Sequence, residues 1–203
     1  MLKPYKIKFP ADPASPTKQG VLGKIAKVYD PLGLISPITL QGKFVYRECC
    51  DAKVPWDAKL PRKLEARWTA WQKSLPENVT APRSLAKFQE LIEDIRLHTF
   101  GDASIQGVGA TVIAVVQQAS GTTQGFVAAM SRLAKKNLTI PCLYVVSAHM
   151  AANLVDNVRE ALEGFPVSQV FGWLDSTVAL HWIKGNGELK QFVGNEVQII
   201  ISR

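Results

Sequence analysis

Hydrophobic periodicity changes character at Ile95, and the order of the elements beyond that point constrains the fold more than any other feature. Ile95-Arg-Leu-His-Thr-Phe100 alternates apolar and polar residues, as a half-buried strand does. Gly107 to Val116 is a continuous apolar, β-branched run suited to a central strand. Gln124 to Met130 comes after the Ser120-Gly121 turn as a third strand, so short turns predict an antiparallel meander. Leu143, Val146, Met150, Leu154, Val158 and Leu162 then recur every three or four residues, predicting a helix that Gly164 and Pro166 stop. Val167 to Leu174 reads as a fourth strand and Ser176 to Lys184 as a helix. After Gly185-Asn186-Gly187, Gln191 to Ile201 fits a helix or, given its β-branched end, a strand. The order βββ-α-β-α-α predicts an α/β fold, a mixed sheet with flanking helices.

The first 90 residues read differently. Pro4, Pro10, Pro13 and Pro16 predict an extended lead-in, followed by a short helix carrying Val21, Leu22, Ile25 and Val28. Asp30-Pro31-Leu32-Gly33 is a turn, because proline fixes φ and glycine tolerates unusual φ. Ile38 to about Ala52 fits a second helix, and Pro61 to Ser74 a third with Leu64, Trp68 and Trp71 on its apolar side. Arg62, Lys63 and Arg67 surround those tryptophans. The helix could touch nucleic acid, but tryptophans at this spacing are more often core anchors.

With 203 residues, 47% apolar and 20% charged, the chain has ordinary globular composition and room for one or two cores. No apolar run is long enough to span a bilayer, and the N-terminus lacks a signal-peptide pattern, so an intracellular protein, cytoplasmic or nuclear, is expected. The formal charge of +7 invites an anionic partner such as nucleic acid, although it is weak evidence by itself and a solvated basic surface is the commoner explanation. Lys3, Lys6, Lys8, Lys18, Lys24 and Lys27 concentrate that charge near the start. Cys49, Cys50 and Cys142 have neither disulfide nor zinc spacing and read as idle thiols.

Two acidic residues stand at predicted strand ends. Asp102 closes the first strand in Phe100-Gly-Asp-Ala-Ser104, and Asp175 closes the fourth in Trp173-Leu-Asp-Ser-Thr177. Carboxylates placed there can hold divalent metal outside a sheet, as two-metal phosphodiester hydrolysis requires. Spacing alone is a weak signal, because Asp-Ser also begins ordinary helices. His149 and His181 have no nucleophile beside them in sequence and read as structural.

The βββ-α-β order is that of ribonuclease H, and longer motifs carry a more specific resemblance. Lys24-Ile-Ala-Lys-Val-Tyr-Asp-Pro-Leu-Gly-Leu-Ile-Ser-Pro-Ile-Thr-Leu40 resembles the segment after the polymerase palm in Pao-type (BEL) retrotransposon polyproteins. Val54-Pro-Trp-Asp57, Leu60-Pro61 and Trp68 continue it. His98-Thr-Phe-Gly-Asp-Ala-Ser104 and Trp173-Leu-Asp-Ser-Thr-Val-Ala-Leu-His-Trp-Ile183 resemble the first and third RNase H motifs of that family, and Phe192-Val-Gly-Asn195 the stretch after them.

The resemblance spans about residues 20 to 203. It implies a reverse transcriptase thumb- or connection-like helical segment over 1–90 and a C-terminally incomplete RNase H-like domain over 91–203. It also implies Asp102 and Asp175 as catalytic metal ligands for Mg2+ or Mn2+, and an RNA–DNA hybrid as substrate.

Departures from the family pattern fall on the site. The family helix usually opens Pro-Arg-Leu-Glu-Leu, its glutamate being a second metal-binding carboxylate; here the stretch is Pro141-Cys-Leu-Tyr144-Val145. A phenol with pKa near 10 is neutral at working pH and cannot replace that ligand. Glu196 stands where the family usually has arginine. A fourth acidic ligand is expected beyond Arg203. Two of four carboxylates remain, so cleavage is expected to be absent or severely reduced.

Two other readings compete. One is a non-enzymatic module that binds nucleic acid or packs against neighbouring domains of the same polyprotein. The other is an aspartic endopeptidase, suggested by the family's label as a Pao retrotransposon peptidase. That chemistry needs Asp-Thr/Ser-Gly turns, and neither Asp102 nor Asp175 lies in one.

Overall fold

The computed structural model describes residues 4–10, 12–82, 84–185 and 189–202. Lys3, Asn186, Gly187 and Arg203 lie outside the described residues. The contacts divide the chain into two units, Met1–Arg83 and Ser84–Arg203.

The first unit holds helices α1 (Lys18–Ala26), α2 (Ser36–Asp51) and α3 (Arg62–Ser74), with β1 (Tyr5–Lys8) paired antiparallel to β2 (Asn78–Ala81). Thr17 caps α1 by accepting from the Gly20 N–H at 3.0 Å. The predicted turn is closed by Asp30, whose carboxylate accepts from the Leu34 and Ile35 amides, both at 2.9 Å, while Gly33 takes φ +71. Trp68 and Trp71 are core anchors: both are buried and stack at 5.0 Å, and the Trp71 indole donates to the Ile38 carbonyl at 2.9 Å. Among the cations around them, Arg67 is paired with Glu48. The β1–β2 ribbon was not expected. The Tyr5-Lys-Ile-Lys8 alternation that builds it, with Ile7 buried, is short and lies among prolines.

The second unit is built on strands β3 (Ile92–Ala103), β4 (Gly107–Gln118), β5 (Gly121–Leu133) and β6 (Val167–Leu174), in the spatial order β5-β4-β3-β6. β3, β4 and β5 are antiparallel neighbours, and β6 joins β3 in parallel. Helix α4 (Ile140–Ala161) crosses from β5 to β6; α5 (Thr177–Lys184) and α6 (Gln191–Ile201) come after it. This is the mixed sheet with flanking helices of an RNase H-like fold. Each strand of the meander extends beyond the stretch that its sequence marked. Of the described helices, α4 and α5 touch the sheet, and α6 packs on α4 and α5.

α4 is buried on two sides. Leu143, Met150, Ala151, Leu154, Val155 and Val158 pack on the sheet with Leu97, Val112 and Val116. Val145 faces away and joins Ala179, Val193 and Val197 in a second small core. That second core decides the fate of 191–201: Val193 and Val197, four residues apart, make one apolar helical stripe despite the β-branched end. The stretch 84–90 belongs with the sheet. The buried Gln118 side chain accepts from the Phe88 amide at 3.1 Å and donates to the Phe88 and Glu90 carbonyls at 2.9 and 3.1 Å.

α4 approaches the sheet closely at Gly101. A Cβ there would stand 3.0 Å from the backbone carbonyl carbon and oxygen of Ser147. Nearby, the Thr99 hydroxyl donates to the Ala151 carbonyl at 3.1 Å. Backbone atoms cannot swing aside as a side-chain end can, so larger residues at 101 must push α4 off β3. Gly101→Val is expected to lower the stability of the chain by about 1–3 kcal/mol in urea unfolding.

Candidate functional site

The close approach at Gly101 sets the positions of its neighbours. Asp102 is next in β3 and is exposed, and Tyr144 lies one turn before Ser147 on α4. The Ser147 hydroxyl donates to the Tyr144 carbonyl at 2.8 Å, holding that turn. The phenol of Tyr144 donates to Oδ1 of Asp102 at 3.2 Å. The same Oδ1 accepts the Ala103 amide at 2.8 Å, so one carboxylate oxygen already carries two donors.

Asp175 reaches the same place from the end of β6. It is exposed and immediately precedes Ser176, the residue that caps α5 by accepting from the Ala179 amide at 3.2 Å. Asp175 is therefore not occupied as the helix cap. Its charge is felt at Tyr144, whose phenol is pushed above the ordinary tyrosine value. Partial desolvation is the largest cause, followed by the Asp102 charge and hydrogen bond, with the Asp175 charge adding to them. The two aspartates singled out in the sequence, and the tyrosine that departs from the family pattern, thus share one site.

The donor set decides what this site can hold. Two divalent cations a few ångströms apart need several carboxylates that bridge and flank them. Here two carboxylates meet a phenol kept neutral, which offers its proton to one of them. Among the described residues, no group of three or more His, Cys, Asp or Glu side chains is placed to hold a metal ion. These residues do not fit a two-metal centre.

The histidines lie elsewhere. His149 is half-buried mid-helix, and its Nδ1 pairs with the Glu196 carboxylate, linking α4 to α6. His181 is exposed in the last turn of α5. Cys49 is buried, Cys50 exposed and Cys142 half-buried, all as free thiols. No helix of the described residues is long and apolar enough to cross a membrane.

One surface feature escaped sequence reasoning. On the sheet face opposite α4, Phe171, His98, Trp173 and Phe100 interleave from β6 and β3 as a ladder. Ring centroids are 4.9 Å apart for His98–Phe171 and 6.2 Å apart for both His98–Trp173 and Phe100–Trp173. The Trp173 indole donates to His98 Nδ1 at 3.2 Å. The period-two spacing of 98 with 100 and of 171 with 173 was the available signal. It becomes a ladder only through the β3–β6 register, which pairs His98 with Phe171 and Phe100 with Trp173.

Compared with known proteins, residues 17–176 match a family model described as a Pao retrotransposon-like RNaseH-like domain. No curated protein matches the chain.

Because its phenol is held neutral by burial and two nearby carboxylates, Tyr144 should ionise later than an ordinary tyrosine. A group whose folded-state pKa is raised stabilises the fold below its unfolded value, about 10, and that contribution is lost as pH rises through the folded value. Stability should therefore fall above about pH 10, and Tyr144→Phe should remove that part of the fall. Ultraviolet tyrosinate titration of the two proteins checks it: their difference should titrate above pH 10.

Proposed function

The chain belongs to the Pao retrotransposon-like RNaseH-like domain family, and on that premise we propose that it derives from a Pao/BEL pol polyprotein and has lost cleavage of the RNA strand of RNA–DNA hybrids. It acts instead as a nucleic-acid-binding or scaffolding module beside the reverse transcriptase and other domains of that polyprotein. The observation that carries this reading is the Tyr144–Asp102 hydrogen bond, which stands where the family pattern expects a metal-binding carboxylate. Asp102 and Asp175 are the surviving members of the ancestral ligand set, and Mg2+ or Mn2+ is required only where a third carboxylate is put back.

The charge distribution supports retained binding and suggests where it resides. Of the 24 Lys and Arg residues 15 precede Ser84, with 7 of the 17 Asp and Glu, a formal +8. Residues 84–203 carry the remaining 9 cations and 10 acids, a formal −1. Affinity for a polyanion through phosphate contacts therefore belongs to the first unit, and such binding weakens steeply with salt. The endopeptidase reading gains nothing. Asp102 lies within β3 and Asp175 just beyond β6, and neither is followed by the glycine that an aspartic-protease turn needs.

The test is cleavage of a labelled RNA–DNA hybrid in Mg2+ and in Mn2+. The chain should bind the hybrid in a salt-dependent way and leave it intact. Tyr144→Glu should introduce metal-dependent cleavage, and Asp102→Asn should abolish it in that background. Cleavage by the unaltered chain that disappears in Asp102→Asn would show that two carboxylates suffice and would overturn the proposal.

A further inference from the structure

Helix α3 has two unlike faces. Leu64, Trp68 and Trp71 point into the core of the first unit. At about 3.6 residues per turn, Arg62, Ala66, Thr69 and Lys73 fall on the opposite side, and all four are exposed. Lys63 and Ala70 lie beside them and are exposed as well. From Arg62 to Lys73 the stripe runs about 16 Å along the helix.

The acids next to this stripe are already matched. Glu65 pairs with Lys59 at 3.2 Å, and Glu48 of α2 pairs with Arg67. Among the described residues, no carboxylate pairs with Arg62, Lys63 or Lys73. Their charge therefore stands uncompensated on one helix face. Nor does it serve the helix, because Arg62 and Lys63 are its first two residues, where the helix dipole disfavours cations. Between the cations the side chains are small. Ala66, Thr69 and Ala70, with Arg62, Glu65 and Lys73, line a shallow hollow in which an extended polyanion can lie against the helix. The stripe carries no Leu, Ile, Val, Met or aromatic side chain. It is neither a face left for another apolar element to cover nor one that can sink into acyl chains.

We propose that the outer face of α3 is a nucleic-acid contact, at which Arg62, Lys63 and Lys73 bind backbone phosphates and the Thr69 hydroxyl donates to a phosphate oxygen between them. The inference rests on the reading that this chain binds nucleic acid, and assigns part of the first unit's phosphate affinity to one helix face. Charge complementarity selects the occupant: three free cations on a polar, small-residue stripe match a phosphate backbone. Phosphate contacts position a protein without reading bases, so affinity at this face does not depend on sequence.

Fluorescence anisotropy of a labelled RNA–DNA hybrid, titrated with the full chain at several salt concentrations, tests the assignment. The double variant Arg62→Gln, Lys73→Gln should bind at least about tenfold more weakly at about 0.1 M salt, with a slope of log affinity against log salt shallower by about 2. Lys6→Gln with Lys8→Gln removes the same charge from exposed positions on β1 and should change affinity by less than about threefold. Arg62→Lys with Lys73→Arg, which keeps both charges, should bind like the parent chain. Circular dichroism like the parent's confirms that each variant folds. Hybrid binding that ignores the α3 substitutions, or that weakens equally in the β1 variant, overturns this assignment and leaves nucleic-acid binding by the chain standing. No binding of the hybrid by the parent chain, even where it binds phosphatidylserine vesicles, overturns both.

Discussion

Helix α4 meets β3 where the sheet has no side chain to separate them. The missing Cβ of Gly101 lets the Ser147 carbonyl approach to a distance that any larger residue would contest. The helix is held there from both sides, by Leu143, Met150 and Leu154 on the sheet and by Val145 against α5 and α6. One turn from that contact the register brings Tyr144 over Asp102, and β6, paired in parallel to β3, brings in Asp175. A backbone contact between two apolar layers thus decides which polar groups meet at the sheet's end. The chemistry of the site then depends on the residue at position 144.

A neutral phenol in that position changes the electrostatics more than the shape. A carboxylate would add negative charge to Asp102 and Asp175, and the cluster would need divalent cations to be stable. The phenol donates a hydrogen bond to Asp102 instead, and partial desolvation together with the two carboxylates keeps it protonated. The site is satisfied from within the chain. The basic surplus lies in the first unit, so the residue at position 144 does not alter it.

Much of this arrangement was legible in the sequence, for identifiable reasons. The apolar run of β4, rich in β-branched residues, and the long 3.6-residue stripe of α4 have one reading each, and short turns between strands leave little choice of neighbours. Asp102 and Asp175 stood out because each stands at a predicted strand end inside a longer motif. What sequence could not supply depends on partners distant along the chain. The β1–β2 ribbon pairs residues seventy or more positions apart across a proline-rich lead-in. The Gln118 bonds that tie 84–90 to the sheet have no local signature. The helical state of 191–201 was ambiguous until Val145 and Ala179 gave Val193 and Val197 something to pack on. The aromatic ladder needed the β3–β6 register, and the Tyr144–Asp102 bond needed the position of α4 on β3.

The most direct measurement is a calorimetric titration of the unaltered chain with Mn2+, alongside Asp102→Asn. With Tyr144 donating to Asp102, both proteins should show the same weak binding, no tighter than about 1 mM. Two Mn2+ ions bound by the unaltered chain well below that concentration, and lost in Asp102→Asn, would contradict a site closed by its own tyrosine.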